Sequence, residues 1–146
     1  MRKISKNEKE TKKIAKEFLA KLSPLEKSAT VVGLYGELGT GKTTLTQFIA
    51  KELRVKKKIN SPTFAIMKRY ALKNKNYKNL FHIDAYRLKN EKELLHLGWE
   101  EMISKKEHLI FIEWPERVIK AMPKKHHQIH IFHTKKGYRK FEIKNN

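Results

Sequence analysis

The stretch GLYGELGTGKTTL, residues 33–45, holds four of the six glycines in a chain of 146 residues. An apolar, β-branched run, ATVVGLY, leads into it. The segment TTLTQFIAKEL leaves it with Leu45, Phe48, Ile49 and Leu53 on one helical face. Gly36, Gly41, Lys42 and Thr43 fit G-x-x-x-x-G-K-[ST], with a strand before and a helix after, as that spacing requires. The glycines let the backbone curl so that successive N–H groups point inward, and the helix N-terminus adds partial positive charge. The stretch therefore predicts a loop that cradles a nucleoside triphosphate. Lys42 would meet the β- and γ-phosphates, and the Thr43 hydroxyl would ligate Mg²⁺.

Working outward, residues 6–22 place Ile14, Ala15, Phe18, Leu19 and Leu22 at helical spacing, an amphipathic first helix. TFAIMKRYAL and LFHIDAYRL read as two strands joined across the polar turn KNKNYKN. NEKELLHLGWEEMI reads as one helix with Asn90 as its N-cap. EHLIFIEW reads as a second buried strand, and Pro115 opens a short helix. QIHIFHT and YRKFEI read as a terminal hairpin. The expected fold is α/β: one P-loop NTPase-like domain over residues 1–146, with a central mixed sheet flanked by helices.

Composition sets outer limits. The chain has no Cys, so a disulfide framework and a thiolate metal site are excluded. It has no apolar run near the ~18 residues that span a bilayer, and its basic start has no signal-type apolar core. A cytoplasmic location is expected. The formal net charge is +19 and the pI about 10.1. Such a balance fits contact with RNA. It equally fits a composition that uses Lys throughout, since only six of the 34 basic residues are Arg, the better reader of bases and phosphates.

Magnesium needs further hard oxygen ligands. Asp84, the chain's only Asp, ends the run LFHID, and Glu113 ends LIFIE. Both fall where a P-loop sheet keeps its chemistry, at the C-terminal ends of strands. Either acid could hold the Mg²⁺ shell or position the attacking water. Asp84 belongs to neither an N-K-x-D nor a D-x-x-G element, which favours ATP over GTP. Arg87 and Arg117 stand apart from each other, unlike the Arg-rich lid of a small-molecule kinase, although such a kinase stays the alternative reading. A basic RNA-binding module that holds ATP only as a ligand is a third. His126, His127, His130 and His133 alternate across a strand and do not converge as zinc ligands would. Lys56, Lys57 and Lys58 read as a solvated basic loop that could meet RNA.

Four blocks then occur in order: LYGELGTGKTT, SPTF at residues 61–64, HIDAYRL at 82–88 and IEWPER at 112–117. Together they resemble the TsaE (YjeE) family, small bacterial P-loop ATPases of tRNA threonylcarbamoyl-adenosine synthesis. The resemblance spans most of the chain. Glu37 and Thr40 stand where relatives often carry Asp and Ala. It implies a nucleotide site made of Gly36, Leu38, Gly39, Thr40, Gly41, Lys42, Thr43 and Thr44. It adds Trp114 beside the nucleotide, Thr11 near adenine and Arg139 as a basic contact from the terminal hairpin. Asp84 and Lys42 are implied as catalytic. Thr43, Thr63, Asp84 and Glu113 are implied around Mg²⁺, with residues 61–64 as a switch-type loop. The implied function is ATP hydrolysis in support of the TsaB–TsaD heterodimer, slow in the free protein and raised by these partners, with tRNA met indirectly or weakly.

Overall fold

In the computed structural model, residues 1–56 and 66–145 are described. The SPTF block with Thr63, as well as Lys57 and Lys58, lie outside the described residues.

Helix α1, Glu8–Lys21, starts where Asn7 accepts a hydrogen bond from the Glu10 backbone N–H at 2.9 Å. Such a cap contributes about 1 kcal/mol. Ile14, Ala15 and Phe18 form its buried stripe, as their spacing predicts. Helix α2, Lys42–Glu52, starts directly from the glycine-rich loop and buries Leu45, Phe48 and Ile49. A strand ahead of α1, β1 at Arg2–Ser5, is an addition to the sequence reading.

Among the described residues the sheet has seven strands in the order β1-β7-β6-β2-β5-β4-β3. They are β2 at Thr30–Tyr35, β3 at Met67–Ala71, β4 at Asn79–Asp84, β5 at His108–Glu113, β6 at His127–His133 and β7 at Arg139–Lys144. The four central strands β6, β2, β5 and β4 run parallel, and β3, β7 and β1 add antiparallel pairings at the two sides. The centre is apolar on both faces, since helices cover it from both sides. One core joins α1 and α2 to Val32, Leu34, Phe111, Ile129 and Phe141. The other joins Val31, Ile83, Ile110 and Ile112 to Leu94, Trp99 and Val118.

The single helix expected over 90–103 is two: α3 at Glu91–Leu95 and α4 at Trp99–Ile103. Gly98 takes φ 84 between them, a left-handed conformation that interrupts the helical path. The break lets Leu94 and Trp99 both turn inward. Asn90 does cap the first of the two, accepting from the Lys92 N–H at 3.0 Å. The short helix after Pro115 is a 3₁₀ segment, Pro115–Ala121, kinked at Val118.

Candidate functional site

Strand β2 delivers the chain into the loop at Gly36, which has φ 153. A Cβ there would stand 2.7 Å from both the Ile131 carbonyl oxygen and Thr40 Oγ1, so only glycine fits between β6 and the loop. Gly41, at φ 105, turns the chain into α2. Inside the loop Thr40 Oγ1 donates to the Glu37 carbonyl at 2.9 Å. From the far end of the chain Arg139 donates through Nε to the Thr40 carbonyl at 2.8 Å and through Nη2 to the Gly39 carbonyl at 3.4 Å. Arg139 therefore grips the loop's backbone.

Lys42 is buried, and its ammonium donates to the Gly36 carbonyl and, at 3.2 Å, to that of Glu37. It lies 4.1 Å from the centroid of the Trp114 ring. Burial pushes the Lys42 pKa down, and the carboxylates of Glu113, Glu116, Asp84 and Glu37 partly offset this. Trp114 holds φ 58, uncommon for a bulky residue, and packs on Tyr86 at 5.1 Å between centroids.

The two acids end neighbouring parallel strands and stand in register, Asp84 opposite Glu113. Thr43 Oγ1 donates to the Glu113 carboxylate, 3.2 and 3.0 Å from its two oxygens. Behind it, buried His82 places Nε2 2.6 Å from Glu113 Oε2, while His82 Nδ1 has no partner among the described residues. Asp84 Oδ1 accepts from the Tyr86 N–H at 3.0 Å. Burial raises the Asp84 pKa and the Glu113 charge adds to it; the Tyr86 N–H, His82 and Lys42 pull it back.

A hydroxyl and two carboxylates beside the glycine loop at the start of α2 suit Mg²⁺ held jointly with phosphate oxygens. Among the described residues no three His, Cys, Asp or Glu converge on a metal position, so nothing there resembles an all-protein cage. The fit is to a metal that arrives with a triphosphate.

A cavity of about 610 Å³ opens over the loop. It is lined by residues 38–44, Ile66, Asp84, Tyr86, Arg87, Glu113, Trp114 and Arg139. It is large enough for a small ligand. A second cavity of about 270 Å³ adjoins it, with Thr11, Thr40, Gly41, Thr44, Phe48 and Arg139 in its wall. Thr11 sits there 2.6 Å from Ser5 Oγ. The structure thus brings together Leu38, Gly39, Thr40, Gly41, Lys42, Thr43, Thr44, Asp84, Glu113, Trp114 and Arg139, with Gly36 at the foot of the loop and Thr11 in the adjoining wall. Sequence reasoning missed His82, Ser5 and Phe48. For His82 a signal existed: it precedes Asp84 by two residues and so shares its face of the strand.

Three comparisons bear on this geometry. The family profile described as threonylcarbamoyl adenosine biosynthesis protein TsaE matches residues 5–141. A protein of Rickettsia typhi named tRNA threonylcarbamoyladenosine biosynthesis protein TsaE is 41% identical over 111 residues, 75% of this chain and 71% of its own. The Bacillus subtilis protein of that name is 37% identical over 125 residues, 86% of this chain and 73% of its own. The crystal structure of Bacillus subtilis YdiB superposes with a TM-score of 0.73 at 30% identity, covering 97% of this chain and 82% of that one.

Proposed function

The chain belongs to the TsaE family, and from that premise we propose that it hydrolyses ATP in the pathway that makes threonylcarbamoyladenosine on tRNA. The hydrolysis sustains turnover of the TsaB–TsaD transferase, and a cytoplasmic location goes with this reading. No described helix is long and apolar enough to cross a membrane.

The observation that carries the proposal is the juxtaposition of Thr43 with Glu113 at 3.0 Å, directly beside a glycine loop that ends in Lys42. The loop's N–H groups and the start of α2 receive the phosphates. Lys42 exchanges the Gly36 and Glu37 carbonyls for phosphate oxygens, and its charge opposes the charge that grows on them. The Thr43 hydroxyl and Glu113 carboxylate would hold Mg²⁺, with His82 fixing the carboxylate from behind. Magnesium supplies Lewis-acid neutralisation of the phosphates. Asp84, its carboxylate only half-buried, faces the same cavity and orients either the attacking water or the metal's water shell. Trp114 closes the site over Lys42 and limits stray water.

The test is ATP hydrolysis with Mg²⁺ by the protein alone and with the TsaB–TsaD pair, for wild type, Lys42→Ala and Glu113→Ala. Slow turnover alone, a rise with the pair and its loss in both variants are expected. ATP binding with turnover unchanged by the pair would overturn the partner role. Phosphate transfer to an added metabolite would move the assignment to a kinase.

A further inference from the structure

Helices cover both faces of the sheet only at its centre. Ile129 and Ile131 of β6 and Phe141 and Ile143 of β7 turn toward α1 and α2. No residue of β6, β7 or β1 belongs to the core under α3, α4 and the 3₁₀ segment. Among the described residues no helix covers the opposite side of these strands. It carries Gln128, His130 and Phe132 on β6, with Lys144, Glu142 and Lys140 opposite them on β7. Arg2 and Ile4 on β1 continue the rows beside Glu142 and Lys140.

Two features of this face are unusual for a solvated sheet. The first is a row of parallel rings. Tyr35 stacks on His130 with centroids 4.4 Å apart and planes within 6°, and Phe132 follows at 6.4 Å and 13°. Phe132 is 40% exposed and Ile4 54%. The rings border an open cavity of about 580 Å³ that reaches the foot of the phosphate loop. The second feature is charge. On the strands Arg2, Lys140 and Lys144 accompany Glu142, which lies 3.6 Å from Arg2 and 3.5 Å from Lys140, while Glu37 and Glu116 line the cavity at its Tyr35 end. Lys140 Nζ also stands 4.7 Å from the Phe132 ring centroid, so a cation adjoins the π-face.

Stacked rings beside cations on an open sheet are what unpaired nucleotides need: π-faces for bases and ammonium groups for phosphates. A protein partner would favour an apolar centre with few charges, whereas here charges alternate with the rings. We propose that the open face of β6, β7 and β1 is a docking surface for single-stranded RNA. Bases lie on His130 and Phe132, and phosphates are held by Arg2, Lys140 and Lys144. This stands apart from the ATPase reading, because RNA binding can be read without nucleotide.

The experiment is fluorescence anisotropy of a short labelled oligoadenylate against the full chain, at several salt concentrations, without ATP. Phe132→Ala should weaken binding about five-fold or more and leave the salt slope unchanged. Phe132→Leu, which keeps the apolar contact and lacks a ring, should behave alike, and Phe132→Tyr should bind as wild type. Lys140→Gln with Lys144→Gln should lower the salt slope by about 1.4. Lys13→Gln with Lys16→Gln, on the exposed side of α1, should do much less. A duplex of equal length should bind more weakly than the single strand. The proposal is overturned if duplex and single strand bind alike, or if the ring variants bind as wild type. It is overturned equally if the α1 pair costs as much as the β7 pair, the mark of a plain polycation. A change in self-association alone would assign the face to a second copy of the chain.

Discussion

Arg139→Gln removes the grip of β7 on the phosphate loop. Of the two contacts, the 2.8 Å bond from Nε to the Thr40 carbonyl carries the effect; at 3.4 Å the Gly39 contact adds little. A hydrogen bond from a charged donor contributes about 1.5–3 kcal/mol, and this partly exposed one belongs near the lower end. Thr40 lies between two glycines in left-handed conformations, Gly39 at φ 77 and Gly41 at φ 105, so the freed loop has wide conformational choice. Nucleotide binding must then reorder it. Fixing one freed backbone residue costs about 1–2 kcal/mol, which becomes roughly a tenfold weaker Kd. The melting temperature should fall by about 3–6 °C. Calorimetric titration with ATP and with inorganic tripolyphosphate checks this. Both should weaken equally, because the defect is in the loop. Arg139→Lys should recover little, since a point charge cannot reproduce the planar fork. Unchanged affinity for both ligands would refute the reasoning. So would a loss confined to ATP, which would make Arg139 a contact to the nucleoside.

Gly36→Ala should destabilise the fold by about 2–4 kcal/mol in urea and abolish nucleotide binding, because its Cβ meets a β6 carbonyl at 2.7 Å. In the same loop Gly39→Ala meets nothing within 4 Å and should cost only the left-handed backbone term, about 1–2 kcal/mol. His82→Ala should cost about 2–4 kcal/mol by denaturant unfolding and weaken Mg²⁺-dependent ATP binding, while Mg²⁺-free binding holds. Asp84→Asn should stabilise the ligand-free protein at neutral pH. The folded-state pKa of Asp84 is raised by burial, so its ionised form opposes folding above that pKa. The advantage of the variant should shrink as pH falls through the folded pKa, and thermal melting across pH 4–7 reads it; an advantage that grows on acidification would contradict the assignment.

What was legible in the sequence is what neighbouring residues decide. Gly36, Gly41, Lys42 and Thr43 act through one continuous turn, so their spacing alone announces the loop. Asp84 and Glu113 were legible because each ends an apolar run. Their pairing was not: it follows from the parallel register of β4 and β5. The same register places His82 behind Glu113, a contact between residues 31 apart. The helix over 90–103 was misread because its apolar pattern continues across Gly98, and only the backbone angle there betrays the break. Strand β1 escaped notice because RKIS has four residues and no alternation strong enough to stand without its partner.

That partner is β7, and the pairing has a consequence for the order of events during synthesis. Of the described elements β1 comes first in the chain, and it docks against β7, which comes last among them. Until β7 is in place, β1 has no edge to join. Arg139, also on β7, arrives equally late to the phosphate loop. Long-range closures of this kind come late in folding. A nascent chain can therefore shape the loop's glycines early. It completes the walls around them only when β7 is free to pair.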